Sequence, residues 1–136
     1  MLMRGDTDIT VYNYCDADET YYPTRIRGVD WYGGQAVSVG DKGLRSADQY
    51  TIRIPDPPDA ELKVYVDCKV YQRLSTSERV RCWTLREGDR IVKGILYDKI
   101  QSPKEFIRYP ECVTVLGVAD NRRGSPAMRH LKVVCG

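Results

Sequence analysis

Apolar and polar residues alternate with a period of two along much of this chain, the spacing typical of half-buried β-strands. In residues 8–14, Ile9, Val11 and Asn13 alternate with Thr10 and a series of tyrosines. The same alternation continues through three further segments that are rich in β-branched and aromatic residues. Four strands are therefore predicted before residue 55, over the ranges 8–14, 22–34, 36–45 and 49–54.

Gly28 falls where the alternation of the second predicted strand slips by one position, with Ile26 before it and Val29 and Trp31 after it. A residue inserted into one strand of an antiparallel pair makes such a slip, and glycine is common there. We therefore predict a β-bulge at Gly28, with the three apolar residues in the core.

Residues 55–61 read "PDPPDAE", and proline cannot supply the N–H groups that a central strand needs, so an exposed loop is predicted. Residues 62–67 fit a short strand, while 68–78 fit either a helical turn or a loop.

Residues 80–85 and 90–94 are two apolar runs joined by "REGD", which predicts a β-hairpin. Its turn contains Gly88 at a positive φ and keeps Glu87 and Asp89 in water.

Residues 102–109 predict the one helix, of about two turns, because Ser102 and Glu105 form a capping box and Pro103 suits the first helical position. Phe106 and Ile107, with Tyr109 beside them, are its expected apolar contacts. Two further strands are predicted at 112–119 and 129–135. Seven or eight short strands without a βαβ rhythm indicate an all-β barrel or sandwich. We expect a single domain over 1–136, with a flexible tail at 1–7.

Charge is divided unevenly along the 136 residues. Residues 1–70 hold 8 Lys and Arg against 12 Asp and Glu, a net of −4, while residues 71–136 hold 13 against 7, a net of +6. Two solvated surfaces would explain this. The alternative is a head-to-tail contact between the acidic part of one copy and the basic part of the next.

The first residues lack the apolar core of a signal peptide, and no apolar run could span a membrane, so the product is expected in the cytosol.

The five cysteines are widely spaced and form no zinc-binding pattern, so reduced thiols and no metal or other cofactor are expected. Cys82 and Cys112 fit buried positions, and Cys135 fits an exposed one. The single histidine, His130, has no adjacent nucleophile motif, and no phosphate-binding or metalloprotease motif occurs. The sequence therefore indicates a protein that is not an enzyme. The tripeptide "RGD" at 4–6 is read as a chance match.

A basic strip near the end of the chain is the remaining candidate for a binding site. Arg side chains suit phosphates, so this strip predicts contact either with DNA or with a neighbouring subunit. A solvated surface would account for it equally well. Its residues are Arg122, Arg123, Arg129 and Lys132.

Several segments in order resemble small proteins of tailed bacteriophages, often called minor capsid or head-closure proteins of the head–tail joining region. They are "ITVYNY", "GVDWYGG", "DKGL", "ADQYTIRIP", "WTLREGDRIVKG" and "VTVLGVADNRRGSPAMRHLKV". The resemblance extends from about Ile9 to Val134. It implies a small SH3-like β-barrel with extended loops and one short helix, and no active site.

The resemblance also implies partners. They are a homo-oligomeric ring of about six or twelve copies, twelve being expected, with portal and adaptor proteins above and the tail terminator or tail tube below. Packaged double-stranded DNA would pass through the lumen, no membrane would be involved, and the protein would reside in the neck of the virion. The loop at 33–46 would contact a neighbouring subunit through Gln35, Asp41, Lys42 and Arg45. The expected barrel core comprises Trp31, Trp83, Leu85, Ile91, Val92, Val113 and Val115.

Two alternatives remain at this point. One is a tail terminator or another neck protein of the same connector. The other is a small barrel outside any virus that binds nucleic acid.

Overall fold

A computed structural model describes residues 5–40, 43–97, 100–109, 111–122 and 129–136, and within 34–40 and 43–48 it describes the backbone alone. Six antiparallel strands close into a barrel in the order β1-β2-β3-β8-β7-β6, and a parallel pair, β4 and β5, lies outside it. The strands are β1 Thr7–Cys15, β2 Thr20–Gly40, β3 Gly43–Pro55, β4 Val64–Tyr65, β5 Cys82–Trp83, β6 Arg90–Lys93, β7 Cys112–Asn121 and β8 His130–Cys135. The predicted all-β fold built on a small barrel is confirmed.

Alternate strand residues point inward and fill the barrel, as the period of two predicts. Of the expected core residues, Trp83, Leu85, Ile91, Val113 and Val115 lie in this cluster, and Trp31 packs against it while half-buried. Val92 lies in a second cluster, with Tyr12, Tyr21, Ile100 and Phe106, where a 3-10 helix covers one side of the barrel.

The predicted bulge is confirmed at Gly28. Thr7 pairs with Val29 but Ile9 pairs with Ile26, so β2 has one residue more than β1 between these pairs. Gly28 has a φ of 71°, a conformation that glycine adopts without steric cost.

Residues 22–34 and 36–45 were predicted as two strands, and this division is wrong. β2 runs unbroken to Gly40 and pairs with β3 residue by residue, from Asp30 with Arg53 to Gly40 with Gly43. Gly33 and Gly34 permit a turn but do not force one, because the cross-strand hydrogen bonds continue through them. In the described residues, β3 pairs with β8 only from Tyr50 onward. Segments 33–40 and 43–49 therefore form a two-stranded extension beyond the barrel, which we call the arm.

The hairpin predicted over residues 80–94 is also wrong. β5 pairs in parallel with β4, whereas β6 pairs with β1 and β7. The chain does turn at "REGD", where the Asp89 N–H donates to the Arg86 carbonyl over 2.9 Å, and Gly88 has a φ of 97°. The two apolar runs leave this turn toward different sheets, a choice set by partners far away in the sequence.

Three short helices are present among the described residues, where one was predicted. α1 Cys68–Arg73 and α2 Thr76–Arg79 occupy the segment that fitted either a helix or a loop. The 3-10 helix Pro103–Arg108 carries the predicted capping box. Its Phe106 is buried as expected, but Ile107 is 83% exposed, because adjacent helical residues point in different directions.

The Pro-rich loop packs against the barrel. Ala60 is 2% exposed and belongs to the main core, and the Arg27 N–H donates to the Asp59 carbonyl over 3.0 Å. At the start of the described chain, the Gly5 N–H donates to the Gly28 carbonyl.

Candidate functional site

The charged turn encloses a buried carboxylate. Asp89 was predicted to lie in water, but it is 1% exposed. One oxygen accepts from the Asn13 amide over 2.9 Å and from the Arg86 N–H over 3.1 Å, and the other accepts from the Tyr14 N–H over 3.1 Å. Asn13 in turn exchanges hydrogen bonds with the backbone of Thr84. The turn is thereby fastened to β1.

Burial raises the pKa of Asp89 to about 6, against the lowering effect of its hydrogen bonds to Asn13, Tyr14 and Arg86 and of the nearby Arg86 charge. Because the carboxylate faces three donor groups and almost no solvent, its arrangement suits a structural clamp. Exposed Glu87, next to it, has no such role.

The basic strip expected at the end of the chain is divided between two faces of a sheet. Arg122 is held by Asp120 through two hydrogen bonds of 2.8 and 2.7 Å and lies 5.0 Å from the centre of the Tyr65 ring. It lines a cleft of about 310 Å³. Lys132 lies between the buried Leu131 and Val133 in β8, so its side chain points to the outer face. The structure therefore does not bring Arg122 and Lys132 together.

Arg53 is the cation that lies beside Lys132, and the sequence reading missed it. The two residues are direct cross-strand partners in β3 and β8, where like charges repel. Arg53 lies 5.3 Å from the centre of the Tyr32 ring, and its buried Nε has no hydrogen-bond partner among the residues that the structure describes. Only the pairing of β3 with β8 places Arg53 beside Lys132. Alternation within each strand does not predict which strands pair, so the sequence alone does not identify Arg53.

The other expected contact residues are Arg123 and Arg129 near the end of the chain and four residues of the segment 33–46. Arg129 is exposed, and its carbonyl accepts from the Asp56 N–H over 3.2 Å. Arg123, Asp41 and Lys42 lie outside the described residues. Gln35 and Arg45 lie in the two strands of the arm, where Gln35 pairs with Asp48 and Arg45 with Ser38.

Residues that bear on chemistry are scattered in the described parts of the chain, where no group of three or more metal-binding side chains occurs. His130 is half-buried and its Nε2 lies 3.3 Å from the Asn121 amide nitrogen. Cys135, expected to be exposed, is fully buried, because its side chain points into the barrel with the alternate residues of β8. Burial raises its pKa to about 12.

The fold and these residues define a small closed β-barrel with a two-stranded arm, a buried carboxylate clamp, and basic residues that lie apart from one another. By sequence, the chain belongs to DUF6751, a family of unknown function, whose profile matches residues 4–136. No curated protein and no solved structure matches it. Within the described residues, no helix has the length and apolar character required to cross a membrane.

Proposed function

We propose that this protein is a structural subunit of a tailed-phage virion, a head-closure component of the head–tail connector. It acts as one copy in a ring that retains packaged DNA and docks the tail, and it catalyses no reaction. The observation that supports this proposal most directly is the arm. A subunit of a ring needs exposed surfaces that bind the neighbouring subunits, and the arm provides one.

The arm presents backbone groups to a partner. Its strands contain seven or eight residues each, and at a rise of about 3.3 Å per residue it extends roughly 25 Å from the barrel. Along 34–40 and 43–49 the described backbone pairs only within the arm, so each strand has an unpaired edge. Such edges readily accept a strand from another chain. Gln35 and Arg45 would then lie at the contact between subunits.

The ring contact is heterologous in this proposal, with the arm of one copy on a different surface of the next. The uneven charge of residues 1–70 and 71–136 would assist orientation, although each exposed pair contributes only about 0–1 kcal/mol. Portal or adaptor proteins would lie above the ring, the terminator or tail tube below it, and double-stranded DNA within it. Arg53 and Lys132 are the cations that we assign to DNA contact in place of the original strip.

Deletion of the gene from a phage or prophage that carries it tests the proposal. We expect heads that lose their DNA, tails that remain unattached, and rescue by the full-length protein supplied in trans. A variant in which a Gly-Ser turn replaces residues 34–48 should fold, as judged by circular dichroism, and should fail to rescue. Glu87→Gln should rescue fully and serves as the control.

Each other outcome identifies a different function. Tails of irregular length on heads that keep their DNA would indicate a tail terminator. Normal infectious particles that never contain the protein would refute a virion role, and tight DNA binding by the same protein would then favour a nucleic-acid-binding module outside the virion.

A further inference from the structure

We propose that a cleft beside Leu62 binds an extended segment of another protein, one that carries an Asp or Glu flanked by apolar side chains. The site lies away from the arm, and the proposal does not depend on a role in a phage. Two of the large apolar side chains exposed among the described residues, Val80 and Tyr97, line this cleft at 50 and 71% exposure, and two more, Leu62 and Val64 at 102 and 60%, flank the lining residue Lys63 in the chain.

Backbone strain holds Leu62 in this position. Glu61 and Leu62 have φ values of 59° and 63°, in the left-handed region that residues with a side chain rarely adopt. Each such residue costs roughly 1–2 kcal/mol. Leu62 recovers none of this cost by burial, since its side chain is fully in solvent. Strain that exposes an apolar side chain is expected where that side chain has a partner.

The strained turn also places a cation at the cleft. Glu61 forms ion pairs with Arg25 and with Lys63, the latter over 3.5 Å. The Lys63 Nζ donates to the Pro23 carbonyl and the Thr24 hydroxyl over 3.0 and 3.1 Å. Burial lowers the pKa of Lys63 even though Glu61 acts to raise it. A carboxylate on a bound segment would act on Lys63 in the same direction as Glu61.

The cleft carries a small excess of positive charge. Three of its nine lining residues are Arg25, Lys63 and Arg79, and none is a carboxylate. Glu61 pairs with the first two cations and Asp18 with the third, so three positive charges face two negative ones. Arg79 is 4% exposed and is held by the Tyr71 and Leu74 carbonyls. The remaining lining residues are Tyr22, Pro23, Thr24, Val80, Cys82 and Tyr97.

Size and composition identify the occupant. The cleft volume of about 240 Å³ is below the usual range for cofactors and drug-sized ligands, and it suits one or two side chains. An acidic side chain complements Arg25 and Lys63, whereas Arg79 is buried among its own partners. The exposed apolar side chains of Val80 and Tyr97 in the lining, with Leu62 and Val64 on either side of Lys63, suit flanking Leu or Val. Arg and Tyr at the centre of an apolar surface are also typical of protein interfaces.

Titration of the labelled full-length protein with synthetic peptides, followed by amide NMR shifts, tests the site. The probe is GSLVELVSG, with GSLVQLVSG and GSGSESGSG as matched peptides. We expect shifts at Lys63, Val80 and Tyr97, a dissociation constant in the high micromolar range, and about tenfold weaker binding of both matched peptides. Leu62→Gln and Lys63→Gln should each weaken binding of the probe by a similar factor. Ile107→Gln, an equally exposed apolar residue elsewhere, and Arg122→Gln should leave it unchanged.

Several results would overturn the proposal. The first is that no amide NMR shifts occur at millimolar peptide. The second is that the Glu and Gln peptides bind equally well. The third is that the control variants lose as much affinity for the probe as Leu62→Gln and Lys63→Gln do. Displacement of the peptide by duplex DNA would assign the cleft to phosphate. Concentration-dependent self-association that Leu62→Gln abolishes would assign it to a second copy of this chain. Val80→Gln provides an independent variant if Leu62→Gln does not give a dispersed spectrum.

Discussion

Replacing Asp89 by Asn tests the physical account of the buried clamp. Two effects on the carboxyl group oppose each other in the folded protein. Burial favours the protonated form, while hydrogen bonds from Asn13, Tyr14 and Arg86 favour the ionised form. Burial dominates, so the pKa of about 6 lies above the value of 3.8 expected without the fold. The folded state therefore holds its proton to higher pH than the unfolded chain does.

This difference makes Asp89 a source of stability that declines as pH rises. The contribution is fully present below the unfolded pKa and is lost as pH rises through the folded pKa, because the unfolded state gives up its proton first. Between about pH 4.5 and 7.5, this single group should lower the free energy of unfolding by about 2 kcal/mol. Asn does not titrate, so Asp89→Asn lacks this decline. The substitution changes the hydrogen bonds at position 89, but this effect on stability is the same at every pH.

Urea unfolding of the wild type and of Asp89→Asn at several pH values measures the effect. The stability of the wild type relative to the variant should fall by about 2 kcal/mol across the range, which corresponds to roughly 1 M in the urea midpoint. Glu87→Gln removes an adjacent but exposed carboxylate and should show no such trend. A relative stability that rises with pH would mean that the hydrogen bonds outweigh burial, and the reasoning would be refuted.

Three further predictions concern stability and reactivity. Ala at Gly88 or Gly94, with φ of 97° and 111°, should each cost about 1–2 kcal/mol in urea unfolding, whereas Gly117→Ala, which also has open space around it, should be nearly neutral. Cys135 should resist DTNB in the folded protein at mildly alkaline pH and react once urea is added, and fast labelling in the native state would contradict its burial and raised pKa. Ser102→Ala should cost about 1 kcal/mol by loss of the helix cap and Ser102→Gly only a few tenths, so equal losses would show that the cap is unimportant.

Much of the barrel could be predicted from local alternation. Leu131, Val133 and Cys135 in β8 are buried at every second position, as the period of two requires. In β1, Ile9 and Val11 point inward as predicted, but Thr10 and Tyr12 between and after them are buried as well, because other parts of the chain cover that face. Gly28 was found because the same alternation slips there. The pairing of strands was not predictable in this way, since each strand's pattern identifies its inward face but not its neighbour. That is why Arg53 was missed beside Lys132.

The sequence contains one weaker indication of the clamp, at Asn13. Asn13 continues the inward series begun by Ile9 and Val11, and a polar residue at such a position requires a buried partner. The sequence does not reveal which of many polar residues that partner is. Asp89 in a Gly-containing turn has the usual appearance of a solvated residue, and only its contacts with Asn13 and the Tyr14 backbone explain its burial.

Asp89 and Leu62 are both unfavourable in isolation, Asp89 because its carboxylate is buried and Leu62 because its φ is positive and its apolar side chain is exposed. They differ in the interactions that offset this cost. The buried carboxylate is compensated within the chain, because Asn13 and two backbone N–H groups fill its hydrogen-bonding capacity and fasten a turn to β1. The left-handed Leu62 lies in a turn that is closed by a hydrogen bond from the Lys63 N–H to the Ala60 carbonyl over 3.0 Å, and Glu61 forms ion pairs, but the Leu62 side chain gains no burial. A strained residue whose side chain contacts nothing inside the fold is expected at a functional position. This difference is why we assign a binding role to the Leu62 cleft and a structural role to Asp89.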